Sequence, residues 1–259
     1  MVINKPPGLI VNKADSVRGE TVQAWMEEKI QNLGPVKADD WQPLIPADFK
    51  TEFGSPAEIF AERGGIVHRL DKDTSGVLVL AKNPGSLINL LAQFKSRAVI
   101  KEYVCLVHGK FNLEHGTVAL PLGRSSRDRR HFTVDIAGRV AVTEYLVEKW
   151  YTGLDLTKIN AQIDRQQLGI YQQGFSLVRC LPKTGRTHQI RVHLAAIQHP
   201  LVGDTTYVGR KRAKLDPVWC PRQFLHAAKL SFKHPRTDQA LVFTAELSDD
   251  LARALQLLI

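Results

Sequence analysis

The amino-acid sequence predicts an α+β chain dominated by antiparallel or mixed sheet. Strand-like apolar runs outnumber helical stripes, most links between them are short, and the two element types do not alternate as βαβ units do. A length of 259 residues suits one large domain, so a single domain over 1–259 is the expectation.

Taken in order, Val2-Ile3-Asn4-Lys5 and Leu9-Ile10-Val11 read as two short β pieces about a Pro6-Pro7-Gly8 turn, where the prolines fix φ and the glycine permits tight approach. Thr21 caps a predicted helix carrying Val22, Met26, Ile30 and Leu33 on one stripe until Gly34 stops it. Residues 35–64 hold prolines and glycines without a lasting period and read as a long loop or surface insertion. Ile66 and Val67 lead into a polar turn, and Val77 to Ala81 form an apolar run of buried-strand type. Asn83 and Pro84 open a helix with Leu87, Leu91 and Phe94 on its stripe. Residues 99–107 alternate as a strand, with Ile100, Glu102, Val104 and Leu106 on one face and Lys101, Tyr103, Cys105 and Val107 on the other. Further strands are expected at 117–120, 140–149, 175–181, 225–232 and 240–246. Helices are expected at 187–197, on Ile190, Leu194 and Ile197, and at the C-terminal end, on Leu251, Leu255 and Leu258. Residues 158–174, with Arg165-Gln166-Gln167, read as a second insertion.

Lys and Arg total 35 against 26 Asp and Glu, a net charge of +9 that suits a protein facing phosphate or an anionic surface without choosing between them. No run approaches the ~18 apolar residues of a membrane span, and no secretory signal opens the chain. Cys105, Cys180 and Cys220 form no CxxC pair, which fits a reduced compartment, and a cytoplasmic protein is expected. No metal is expected: HExxH is absent, and the five-residue spacing of His188 and His193 sets them about 140° apart around a helix.

Two segments concentrate reactive groups. Arg69-Leu70-Asp71-Lys72-Asp73-Thr74-Ser75-Gly76 is a polar turn between apolar segments, the setting in which a scaffold displays chemistry; a turn closed by its own Asx and hydroxyl bonds has the same composition. Lys183 to His193 joins a strand to a helix with Lys183, Arg186, His188, Gln189 and Arg191 near the helix entrance, a place that suits anions. Arg186 offers a fork that matches a carboxylate and would keep Asp71 ionised, while a surface helix with ordinary charges is the plain alternative. Arg124, Arg127, Arg129 and Arg130 in one loop, and Arg210, Lys211, Arg212 and Lys214 in another, could track phosphates or simply be solvated. Tyr103, beside Lys101, has a ring able to stack on a base, although tyrosine in a strand is more often core.

Five ordered segments resemble the RluA-type pseudouridine synthases across nearly the whole chain: Asn4 to Gly8, His68 to Asp71 with Thr74-Ser75-Gly76, Lys101-Glu102-Tyr103, Gly185 to Arg191, and Pro200 to Asp204. The resemblance implies the pseudouridine synthase fold, a long and mostly antiparallel sheet with flanking helices and a central RNA-binding cleft. It implies an isomerase without cofactor or metal that acts on structured ribosomal or transfer RNA; a monomer is the default expectation, which no residue pattern decides. Asp71 is then the essential carboxylate, Tyr103 stacks on the target base, Arg186 pairs with Asp71, and Arg69 fills the space left by the flipped nucleotide. Lys101, Lys183, His188, Gln189, Arg191 and the Arg124–Arg130 loop are the expected substrate-binding residues. Asp71 as nucleophile, as base or as a stabiliser of positive charge on the sugar all remain compatible with these residues. The chain opens at the first catalytic strand where many relatives carry a small RNA-binding domain, so no separate N-terminal domain is expected. Ser248 stands where proline is common. Two other readings compete: a non-catalytic RNA-binding or ribosome-assembly protein on the same fold, and a glycoside hydrolase using Asp71 and Asp73 as its carboxylate pair, which an Asp73→Ala variant distinguishes.

Overall fold

The computed structural model describes residues 1–259 apart from Ser16, residues 33–36, Arg130 and residues 160–166, together with all side chains among the described residues except those of Phe53 and Gln167. The chain forms two compact units, one from Met1–Ile100 with Lys229–Ala245 and one from Lys101–Ala228 with Glu246–Ile259.

In the first unit, β1 (Val2–Lys5) runs antiparallel to β2 (Ser75–Val79), with Val2 opposite Val79 and Lys5 opposite Gly76. Between them lie α1 (Val22–Asn32), α2 (Ala38–Trp41) and α3 (Pro56–Arg63), and α4 (Pro84–Lys95) follows β2. The expected caps are present: Thr21 Oγ1 accepts from Ala24 N at 3.0 Å and Asn83 Oδ1 from Ser86 N at 2.8 Å, each satisfying an N–H that the helix leaves open. Val67, Val77, Val79, Leu87 and Leu90 pack with Leu230 and Phe232, and burying each contributes about 1.5–3 kcal/mol.

In the second unit β3 (Ile100–His108), β4 (His115–Val118), β7 (Thr143–Tyr151) and β8 (Phe175–Pro182) form antiparallel ladders in the order β3-β8-β7-β4. β5 (Leu122–Arg124) and β6 (Phe132–Val134) make a separate hairpin. α5 (Gln189–Ala196) and α6 (Arg210–Leu215) precede β9 (Leu225–Lys233), which leads back to the first unit, where it pairs antiparallel with β10 (Ala240–Thr244). α7 (Asp249–Gln256) closes the chain. The period of two predicted for β3 is seen in its packing: Leu106 enters a cluster with Phe175, Trp219, Phe224 and Leu251, while Cys105 and Val107 enter another with Val178, Cys180 and Leu194.

Several expectations need correction. Residues 35–64 are not a loop, because their described part holds α2, 3-10 turns at Gln42–Leu44 and Thr51–Phe53, and α3. The last is started by a capping box in which Glu58 N donates to Ser55 Oγ at 3.3 Å and Ser55 N to Glu58 Oε2 at 2.7 Å. The described part of 158–174 holds a 3-10 turn at Gln167–Tyr171, whereas Arg165 and Gln166 lie outside the described residues, as do Leu33 and Gly34 of the expected first helix end. The second β piece after Gly8 is reduced to a single bridge between Ile10 and Thr21. The arginine loop is the connection of the unforeseen β5–β6 hairpin, and Arg210 to Lys214 belong to α6.

Candidate active site

Asp71 sits on a turn closed by Thr74 N donating to the Asp71 carbonyl at 3.1 Å. The turn is flanked by buried Leu70 on one side and by buried Thr74 and the wholly buried β2 on the other, so core packing fixes both ends of it. Its backbone is also held from beneath. Lys5 is 0% exposed, and its ammonium donates to the carbonyls of Pro6 at 2.7 Å, Leu9 at 2.9 Å and Lys72 at 2.9 Å. A buried ammonium needs several acceptors, and these three tie the Pro6-Pro7-Gly8 turn to the residue after Asp71. Asp71 and Asp73 are half-buried, while Arg69 and Lys72 are exposed. His68 accepts from Val79 N through Nε2 at 3.2 Å and stacks on Phe94 with centroids 4.7 Å apart, which anchors the entry to the turn.

The segment around Arg186 is held by a directional chain of side chains. His193 Nε2 donates to the Leu120 carbonyl at 2.9 Å, so neutral His193 must accept at Nδ1, where the Thr143 hydroxyl lies at 2.9 Å. That hydroxyl accepts from Gln189 Nε2 at 2.9 Å, and the same amide group donates to the Val142 carbonyl at 3.0 Å. Gln189 Oε1 accepts from the Thr184 hydroxyl at 2.6 Å and from Arg186 N at 3.0 Å. Thr184 Oγ1 in turn accepts from Val142 N at 3.0 Å. Burial lowers the His193 pKa against the opposing effect of its bond to Leu120, which favours the neutral ring that this chain requires. Arg186 is half-buried, with Nε donating to the Val140 carbonyl at 3.1 Å. Lys101 reaches the same loop from β3, donating to the Thr184 carbonyl at 3.0 Å.

The remaining expected residues separate by burial. Gln189 and Arg191 are buried; Arg191 forms a bidentate pair with Asp204, at 2.7 Å from Nε and 2.9 Å from the second terminal nitrogen, and lies over the Tyr207 ring at 5.0 Å. His188, at a left-handed φ of 55°, bonds the Tyr207 hydroxyl through Nδ1 at 2.9 Å, and that hydroxyl accepts from Phe132 N at 3.0 Å. The β5–β6 hairpin is thereby joined to the start of α5. Arg124, Arg127 and Arg129 are exposed on that hairpin, and Arg130 lies outside the described residues. Lys183 is exposed and pairs with Glu144 at 2.8 Å. Tyr103 is half-buried and leans on the cluster of Cys105 and Val107.

Sequence reasoning missed Lys5, Thr143, His193, Asp204 and Tyr207 as organising residues. The one local signal was a lysine ending an otherwise apolar edge before two prolines; the rest depend on partners far away in the chain. Among the described residues no group of three or more His, Cys, Asp and Glu side chains is arranged to hold a metal, and no helix is long and apolar enough to cross a membrane.

A family model described as RNA pseudouridylate synthase matches residues 1–196. An uncharacterised RNA pseudouridine synthase of Bacillus subtilis is 33% identical over 256 residues, covering 99% of this chain and 69% of that protein. The ribosomal large subunit pseudouridine synthase D of Nitrosomonas europaea is 40% identical over 200 residues, 75% of this chain, which spans only 51% of that relative. Among solved structures, human RNA pseudouridylate synthase domain containing 1 matches with a TM-score of 0.56 and 26% identity, over 78% of this chain and 77% of its own. Human RNA pseudouridylate synthase domain containing 4 matches with a TM-score of 0.60 over 98% of this chain and 88% of its own, at 20% identity that speaks for the fold alone. The ordered motifs, the sheet with its flanking helices and these likenesses converge: the chain belongs to the RluA-type branch of the RNA pseudouridylate synthase family.

Proposed function

We propose that this chain isomerises uridine to pseudouridine in structured RNA, ribosomal or transfer, as a cytoplasmic monomer with Asp71 as its catalytic carboxylate. The observation that carries the reading is the Asp71 turn, whose backbone buried Lys5 holds at the Lys72 carbonyl and ties to the Pro6 and Leu9 carbonyls, while Asp71 itself is half-buried. A rigid backbone carrying a part-exposed acidic residue is what positioning catalysis needs. The relative named as a ribosomal large subunit synthase makes large-subunit RNA the first substrate to test.

In the reaction the bond from the sugar's anomeric carbon to ring nitrogen N1 breaks, the uracil turns, a bond forms to ring carbon C5, and the proton at C5 leaves as N1 gains one. Nothing is consumed. The base must first leave its stack, at a few kcal/mol, because a carboxylate cannot reach the glycosidic bond of a paired uridine. Asp71 then faces the anomeric carbon, where positive charge develops, Tyr103 stacks on the base, Arg186 holds the carboxylate, and Arg69 occupies the vacated place. Lys101, Lys183, His188 and the exposed Arg124, Arg127 and Arg129 contact the RNA, with Arg130 on the same loop. Gln189 and Arg191 act from behind, since their polar groups are engaged inside the protein.

The test is a chemical map of pseudouridines in total RNA from cells with the gene present, deleted, or restored as wild type or Asp71→Asn. A site that vanishes on deletion and returns only with wild type is expected, with RNA affinity of the variant nearly unchanged. Full restoration by Asp71→Asn sinks the assignment.

A further inference from the structure

A groove of about 470 Å³ lies in the second unit between the Gly169–Gln173 segment and the start of α6, and its described lining holds no residue given a catalytic part above. Among the described residues its lining contains Arg210, Lys211 and Arg212 and no carboxylate. The nearest acid in sequence, Asp216, is 0% exposed and turned inward, where His108 Nε2 at 2.8 Å, the Tyr171 hydroxyl at 2.8 Å and Gly203 N at 3.0 Å converge on it. That buried knot joins the segment ending at Tyr171 to the end of α6, and Arg212 closes a second link by donating to the Ile170 carbonyl at 3.3 Å. The two walls are therefore fixed to each other and their outward charge is positive.

Two positions of the lining are glycine, Gly169 and Gly209, the second being the cap residue just before α6, where glycine is favoured. A Cβ at Gly169 or Gly209 would meet nothing within 4 Å, and neither has a positive φ, Gly209 sitting at −66°. Backbone left open on this side leaves room for close approach by a ligand. Cations, side-chain amides of the exposed Gln172 and Gln173 and open backbone together match the charge and hydrogen-bonding of a sugar–phosphate chain. We infer that this groove is a second RNA-backbone site, which holds a flank of the substrate outside the reacting nucleotide. The inference deepens the proposed function and rests on it.

The experiment measures binding of a fluorescent, uridine-containing hairpin RNA to the full chain across a salt series, for wild type, Arg210→Ala/Lys211→Ala, Gly209→Val, and a charge-matched control, Lys29→Ala/Lys95→Ala. The double variant removes two exposed cations at a helix start and leaves Arg212 and the Asp216 knot in place, so thermal melting should match wild type. Two lost phosphate contacts should flatten the slope of log affinity against log salt by about 1.4 to 1.8. Gly209→Val should weaken binding with the slope nearly kept, because it fills space without removing charge. An unchanged slope in the double variant, or an equal flattening in the control, overturns the inference; the former leaves the patch to an acidic protein surface. Turnover of total ribosomal RNA is read in parallel. A wild-type chain that binds but never forms pseudouridine sinks the proposed function while the slopes still decide the groove, and a wild-type chain that binds no RNA overturns both.

Discussion

The Asp71 turn hangs from one buried ammonium, whereas the loop before α5 is threaded through four neutral side chains. Lys5 grips carbonyl oxygens, which every residue possesses, so the turn residues above it are free to be chosen for chemistry. Gln189, Thr184, Thr143 and His193 instead read one another's donors and acceptors, so each identity is fixed by its neighbour. The first device concentrates dependence in a single side chain; the second spreads it over several and makes it sensitive to proton position.

The largest effect should therefore come from Lys5. Lys5→Met keeps length and burial while leaving three part-buried carbonyl groups without this donor, at about 0.5–1.5 kcal/mol each, so a loss of about 3 kcal/mol is expected in urea unfolding. Turnover should fall with it, because the residue after Asp71 loses its anchor. A variant within about 0.5 kcal/mol of wild type would mean that the turn is held by its flanking core alone.

Gln189→Glu comes next and probes the other device. The change is nearly isosteric and keeps an acceptor for the Thr184 hydroxyl and Arg186 N, yet it removes both donors, to the Val142 carbonyl and the Thr143 hydroxyl. A cost of about 1–3 kcal/mol is expected. Equal stability of the two proteins would show that the chain of side chains tolerates a reversed polarity, and the contrast between the two regions would disappear.

How far each region was legible follows from the same contrast. The Asp71 turn stands out because apolar runs bracket it, and the β3 alternation and the Asn83-Pro84 cap were readable because their signals lie within a few residues. Lys5 was not, since a lysine in a buried position contradicts the usual burial rule and one of its acceptors is 67 residues away. Arg191 looked like an anion-facing cation because its partner Asp204, 13 residues on, is brought to it only by folding. α3 failed for a different reason. Its capping box was present in Ser55 to Glu58, but none of its residues is buried, so no apolar stripe marked it.

Acidification should separate the two regions by the smallest margin. His193 has a folded pKa below its ordinary value, so the unfolded chain binds its proton first as pH falls. Its stabilising part is complete above the ordinary histidine pKa, about 6.5, and is lost as pH drops from there towards the depressed folded value. Protonation puts a hydrogen on Nδ1, which faces the Thr143 hydroxyl at 2.9 Å; that hydroxyl would then accept from both sides and its own hydrogen would lose its acceptor. His108 shifts in the same direction, because burial outweighs the pull of Asp216 and its Nδ1 has no partner among the described residues, so it adds to the overall acid sensitivity. Hydrogen exchange, corrected for intrinsic rates, should show protection of Gln189 and Val192 amides falling between pH 7 and pH 5.5 while Thr74 and Ala81, whose amides donate to the Asp71 and Gly65 carbonyls, change less. A His193→Gln variant should flatten the difference, since its amide can accept from Thr143 and donate to Leu120 without titrating. If both regions lose protection in parallel in wild type and variant alike, the acid response belongs to the chain as a whole and not to the side-chain relay behind Arg186.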